Sequence, residues 1–287
     1  IANGREILAA IDDQRETVRA MRADVAQADG VACGSVVASL ADGRVLHSEV
    51  LERWSEAAGS GRMRSLEGGV AGLRGRISAW FRRGRESESA VAGVADGIEA
   101  SLRTILVAEA QGAVRSVDDA WRSREGAAEV RDRALAAVRD PGERARSAEA
   151  AIRQWRRSLA GLVGTTGKDK RATARLAAAG EDAVGAALMI VVFSSTAGLS
   201  EGRPAAAGSA AGGAERLLEA IFGRDAVRSA ARRARESLLE SAAAFFAEEL
   251  APFRKACEEV AIGTEFRNEV NRAFSRIERL HAREERR

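Results

Sequence analysis

Apolar positions recur along this chain at steps of three and four, and polar positions fill the gaps. That spacing places them on one face of a helix with about 3.6 residues per turn. Ile7, Ile11, Val18, Met21 and Val25 form the first stripe, with Arg, Asp and Glu between them. Residues 30–43 are richer in Gly and Val, and Asp42-Gly43 could turn a hairpin between Val36-Val37 and Val45-Leu46. The spacing of Leu46, Val50 and Trp54 favours helix, a short break at Asp42-Gly43, then helix again. Gly59-Ser60-Gly61 ends that helix. Leu66, Val70, Leu73, Ile77 and Trp80 mark the next, which Gly84 closes. Val91, Val94, Ile98, Leu102 and Ile105 open a further stripe that runs on through Val114, Val117 and Trp121.

Asp140-Pro141-Gly142 reads as a turn. Beyond it Ala145, Ala148, Ile152, Trp155, Leu159 and Leu162 follow the alternating steps of a coiled coil or long bundle. Leu239, Ala242, Phe246 and Phe253 continue the pattern, and Phe266, Val270, Ala273, Ile277 and Leu280 form a last amphipathic helix. The expected fold is all-α: an elongated antiparallel helical bundle carrying an apolar helical hairpin, more than about 70% helical against the usual third. Three stretches are expected: 1–140, 141–262 with the hairpin at 181–214, and 263–287 as the C-terminal amphipathic helix.

The segment Ala183 to Ser200 breaks the amphipathic pattern. It has no charge over 18 residues, near the lower limit for spanning a bilayer. Glu201-Gly202-Arg203-Pro204 follows, then an uncharged run of Ala, Gly and Ser from Ala205 to Ala214 that is too weakly apolar to span. The two runs read as a hairpin bent near Gly198 to Pro204. One interpretation is a buried core helix followed by a loop. The sharper one is a hairpin dipping into one leaflet through Leu188, Met189, Ile190, Val192, Phe193 and Leu199. Basic residues flank it on both sides: Lys168, Lys170, Arg171 and Arg175 before, and Arg224, Arg228 and Arg232 on one helical face after. Lys168, Lys170, Arg171 and Arg228 are the candidate lipid-headgroup contacts.

Composition supports helix and narrows the chemistry. Of 287 residues only 3 are Pro, none is Tyr and 4% are aromatic, which speaks against a β-sandwich or barrel. Lys and Arg total 45 against 42 Asp and Glu, a net of +3 with the signs interleaved, so nucleic-acid binding is not expected. Cys33 and Cys257 are far apart and outside any C-x-x-C pattern, as two reduced thiols would be. His47 and His281 are the only histidines, and neither neighbours a nucleophile elbow. Gly161 to Lys168 superficially suggests a phosphate loop. Five residues separate its glycines where four are needed, and Asp169 follows Lys168 where Ser or Thr binds Mg²⁺. A hinge is the expected role. Trp54, Trp80, Trp121 and Trp155 lie on apolar stripes and are expected in the core.

LMIVVFSSTAGL at Leu188 to Leu199 and RLLEAIFGRDAVRSAA at Arg216 to Ala231 resemble the C-terminal region of bacterial dynamin-like GTPases. GRVLHSEVLERW, Gly43 to Trp54, is an earlier match. The resemblance covers most of the chain, and Glu201 to Gly213 departs from it in being more polar. It implies neck and trunk helices with a membrane-binding paddle, following a GTPase domain in the same polypeptide. GTP and Mg²⁺ would belong to that domain, and no catalytic residue, cofactor or metal is expected in this chain. The implied partners are an anionic membrane surface, the GTPase domain and further copies of the chain. The implied location is cytoplasmic, peripheral on the inner face of the cell membrane. Two alternatives carry other expectations: a pore-forming helical domain with a hidden apolar hairpin, and a plain helical scaffold or coiled-coil stalk.

Overall fold

The computed structural model describes residues 2–42, 45–46, 85–166, 181–196, 214–215, 218–219 and 222–284. Every regular element among them is a helix: α1 (Ala2–Ala41), α2 (Arg85–Arg122), α3 (Ala128–Ala136), α4 (Pro141–Thr166), α5 (Glu181–Thr196), α6 (Arg224–Glu249), α7 (Ala251–Glu259) and α8 (Thr264–Glu284). The protein is all-α. Val50, Trp54 and the stripe from Leu66 to Trp80 lie outside the described residues, as do His47, Lys168, Lys170, Arg171, Arg175 and Leu199.

The helical reading holds for residues 30–41. α1 runs unbroken through Val36 and Val37 to Ala41, and Val45-Leu46 is a turn rather than a strand. Three breaks differ from the sequence expectation. Pro141 opens α4 and Gly142 lies inside it, so the turn sits just before Asp140-Pro141. Pro suits the first helical position, where its missing N–H has no acceptor to lose. α2 stops at Arg122, and Gly126 takes a φ of 75° in the turn to α3. α6 gives way to α7 at Leu250, next to Pro252. The α2 stripe also drifts. Leu106, Ala110 and Ala113 are buried where Ile105 and Val114 were expected.

The helices form two compact units, neither continuous in sequence. One comprises Ile1–Ala32, Ala110–Asp140 and Phe246–Arg287, the other Cys33–Glu109 and Pro141–Phe245.

In the first unit Trp121 meets Phe253 edge-on, with ring centroids 5.3 Å apart and both side chains fully buried. α3 packs along α7, and Arg133 bridges to Glu259 at 3.3 Å. Arg124 and Arg254 tie the α2–α3 turn and α7 to α1 through Asp24 and Asp29, at 2.8 and 2.7 Å. Arg139 reaches the buried carboxylate of Glu249 at 2.8 Å and also Glu248 at 3.0 Å. α8 returns antiparallel to α1. Arg267 grips Asp12 with two hydrogen bonds and Arg5 faces Glu278. Those bonds hold the Asp12 carboxyl below the usual carboxylate range. A Cβ at Gly4 would lie 2.0 Å from the Phe274 ring, so the missing side chain permits the close approach there.

Cys257 is fully buried in this unit, and burial pushes its thiol up to about 11. The thiolate is the nucleophile, so Cys257 is expected to stay silent to a disulfide-exchange reagent at pH 7.5. The half-buried Cys33 is expected to react first. Both should react at similar rates in urea. Because the folded pKa is raised, an unfolded chain sheds its thiol proton at lower pH than the native one. The first unit should therefore lose stability as pH rises from about 9 towards 11.

Candidate functional site

α5 carries the one uncharged stretch among the described helices that is apolar all round, from Ala186 to Phe193. Residues 186–193 are buried without exception, and Leu188, Met189, Ile190, Val192 and Phe193 are each at most 2% exposed. Eight consecutive residues exceed two full turns, so protein covers this stretch of α5 on every side. Such a helix belongs in a core or a membrane.

α4, which packs on α5, is fastened to α6 and α2 by polar contacts. Trp155 of α4 donates its indole N–H to the Ala234 carbonyl of α6 at 2.9 Å, fully buried. One turn on, the Ser158 and Ser237 hydroxyls meet at 3.3 Å. Both pairs advance together, so α4 and α6 run parallel. Arg156 of α4 reaches Glu99 of α2 at 2.8 Å. The other face of Trp155 touches α5. Its ring lies 5.9 Å from that of Phe193, tilted by 56°. One indole therefore joins the wall of the enclosure to its content. Sequence spacing placed Trp155 in the core but gave no sign of the Ala234 bond, because a helix carbonyl leaves no mark in sequence.

The insertion expectation needs a correction in its energetics. Moving each large side chain from water to an apolar phase is worth roughly 1.5–3 kcal/mol, but here Leu188 to Phe193 start inside protein. Insertion would exchange one apolar surrounding for another. The driving force would then have to come from elsewhere, and the basic flank is the available source. Arg224, Arg228 and Arg232 are exposed on one face of α6. Arg224 is engaged by Glu219 at 3.0 Å.

Residues Gly161 to Thr166 are the last turns of α4, not a loop. A helix has already committed the N–H groups that a phosphate loop turns towards its ligand. His281 is exposed on α8, and Trp121 and Trp155 are core residues. Among the described residues no cluster of His, Cys, Asp and Glu could hold a metal. No described helix is long and apolar enough to cross a membrane. In a charged surface groove between α1 and α8, Arg267 pairs with Asp12 and Arg19 with Glu16, and Arg15 donates to the Thr264 hydroxyl.

Fold and site together define an all-helical protein that encloses one apolar stretch of helix, residues 186–193. No family model, curated protein or solved structure matches the chain.

Proposed function

We propose that the chain is the helical stalk and membrane-binding region of a dynamin-like GTPase, acting in membrane remodelling at the cytoplasmic face of the cell membrane. α5 is its membrane-inserting element, held in the protein until a membrane accepts it. The observation that carries the proposal is the burial of residues 186–193 on every side, in a helix without a charge between Ala183 and Thr196. A stretch apolar on every face is at home in a protein core or in a membrane, so α5 has a second apolar destination open to it. GTP and Mg²⁺ act on a GTPase domain elsewhere in the polypeptide, and this chain transmits its movement. The same enclosure favours a second reading, a pore-forming domain that releases a hidden hairpin.

Flotation separates the possibilities. Liposomes of phosphatidylglycerol and phosphatidylcholine are expected to carry the protein upward, phosphatidylcholine alone much less, and added salt to weaken recovery. The double variant Arg228→Gln/Arg232→Gln alters only exposed positions. At about 1 kcal/mol for each near-surface cation, it is expected to weaken binding roughly thirtyfold at unchanged melting temperature. Release of an encapsulated dye would favour the pore. No flotation with any liposome would leave α5 a core helix and the chain a scaffold.

A further inference from the structure

The apolar stripe of α8 has no cover among the described residues. Phe266 is 55% exposed, Ile277 49% and Leu280 55%, with Ala273 exposed and Val270 half-buried. Arg267, Phe274 and Glu278 face α1 instead, about a quarter-turn round the helix. Ile7 lies on the stretch of α1 that packs along α8, between Gly4 and Asp12, and is itself 49% exposed. Both helices thus leave apolar side chains without a third described element over them.

The stripe spacing is four, three, four, three, the seam of a coiled coil. Charge on the flank away from α1 is segregated. Glu265 and Glu269 stand in the first two turns, and Arg272, Arg276, Arg279 and Arg283 follow towards the C-terminal end. Among the described residues Glu265, Glu269 and Arg276 make no ion pair. A parallel partner of the same sequence would set acid beside acid and base beside base. An antiparallel one sets acid beside base at both ends.

We infer that α8 is a homodimerisation surface, in which the α8 helices of two copies pair antiparallel about a twofold axis between Asn271 and Arg272. In that register Phe266 faces Ile277 of the second copy and Val270 faces Ala273. Glu269 meets Arg276 beside the seam, a pair that occurs twice by symmetry. Apolar contact supplies the affinity, and the exposed ion pairs choose the orientation. About two heptads of overlap make a small interface, which places the equilibrium in the weak, concentration-dependent class. This inference stands apart from the membrane reading, since it concerns only α1 and α8.

Sedimentation equilibrium of the whole chain tests it. Mass is expected to rise from 30.4 kDa towards twice that as the concentration climbs from about 1 to 200 µM. Ile277→Ser/Leu280→Ser should stay monomeric throughout at unchanged helicity, because both positions are exposed. Glu269→Arg should weaken pairing by about tenfold, and Glu269→Arg with Arg276→Glu should restore it. A monomer at every concentration overturns the inference and leaves the stripe to another protein. A dimer indifferent to Ile277→Ser/Leu280→Ser overturns the surface. Pairing that ignores the charge reversal overturns the antiparallel register.

Discussion

Trp155→Ala is expected to destabilise the fold by about 3–5 kcal/mol and, in the same preparation, to increase recovery with anionic liposomes. The first effect follows from a fully buried indole whose loss opens a cavity between α4, α5 and α6. The second follows from its position. Trp155 touches Phe193 on one side and holds α6 on the other, so truncation lowers the cost of letting α5 leave. Trp155→Phe keeps a ring against Phe193 but gives up the bond to Ala234. It should cost about 1 kcal/mol beyond the change in volume. Urea unfolding followed by circular dichroism reads the stability, and flotation reads the release. A destabilised Trp155→Ala protein that floats no better than the wild type would mean that α5 is structural only. Replacing Ile190, Val192 and Phe193 with Ser is a poorer test. All three are buried, and loss of binding would then accompany loss of folding.

Trp121→Ala should also cost about 3–5 kcal/mol, through the edge contact with Phe253 and a side chain with no exposed area. The informative comparison is with Phe. Trp121 Nε1 is buried and has no hydrogen-bond acceptor among the described residues. An unmatched buried N–H is a liability of about 1–3 kcal/mol. Trp121→Phe removes it while keeping an aromatic ring against Phe253. That variant is expected to fall within about 1 kcal/mol of the wild type, because the relieved polar group offsets the lost volume. Trp155→Phe should be the more costly of the two conservative changes. Denaturant midpoints at constant slope check the order, and the reverse order would show that the Trp121 N–H has found a partner.

Much of the fold was legible in sequence. Steps of three and four identified helices from Ile7 to Val25, from Val94 to Trp121, from Ala148 to Leu159 and from Phe266 to Leu280, and each is helical in the structure. The helix break near Asp42 and the core positions of Trp121 and Trp155 were legible too. The α2–α3 break was missed because the residues before Gly126 are ordinary helix formers, and only the positive φ at that glycine marks the turn. The α6–α7 break was missed because the apolar stripe runs across it, from Phe246 to Phe253.

Sequence alone determined that these segments are helices and which face of each avoids water. Tertiary structure decided what covers each face. Ile152, Trp155 and Leu159 on α4 repeat with the same steps as Val270, Ala273 and Ile277 on α8. The first group is at most 2% exposed, while Ile277 is 49% exposed. Leu188 to Phe193 read equally well as lipid-facing or core, and the structure places them inside protein. The reason is that apolar burial is non-directional and scales with the area withdrawn from water. A neighbouring helix, a bilayer and a second copy of the chain all satisfy it, so periodicity records the aversion to water but not its remedy. Only the positions of the other helices distinguish them: α4 packs on α5, whose residues 186–193 are buried, and no described helix lies over the apolar face of α8.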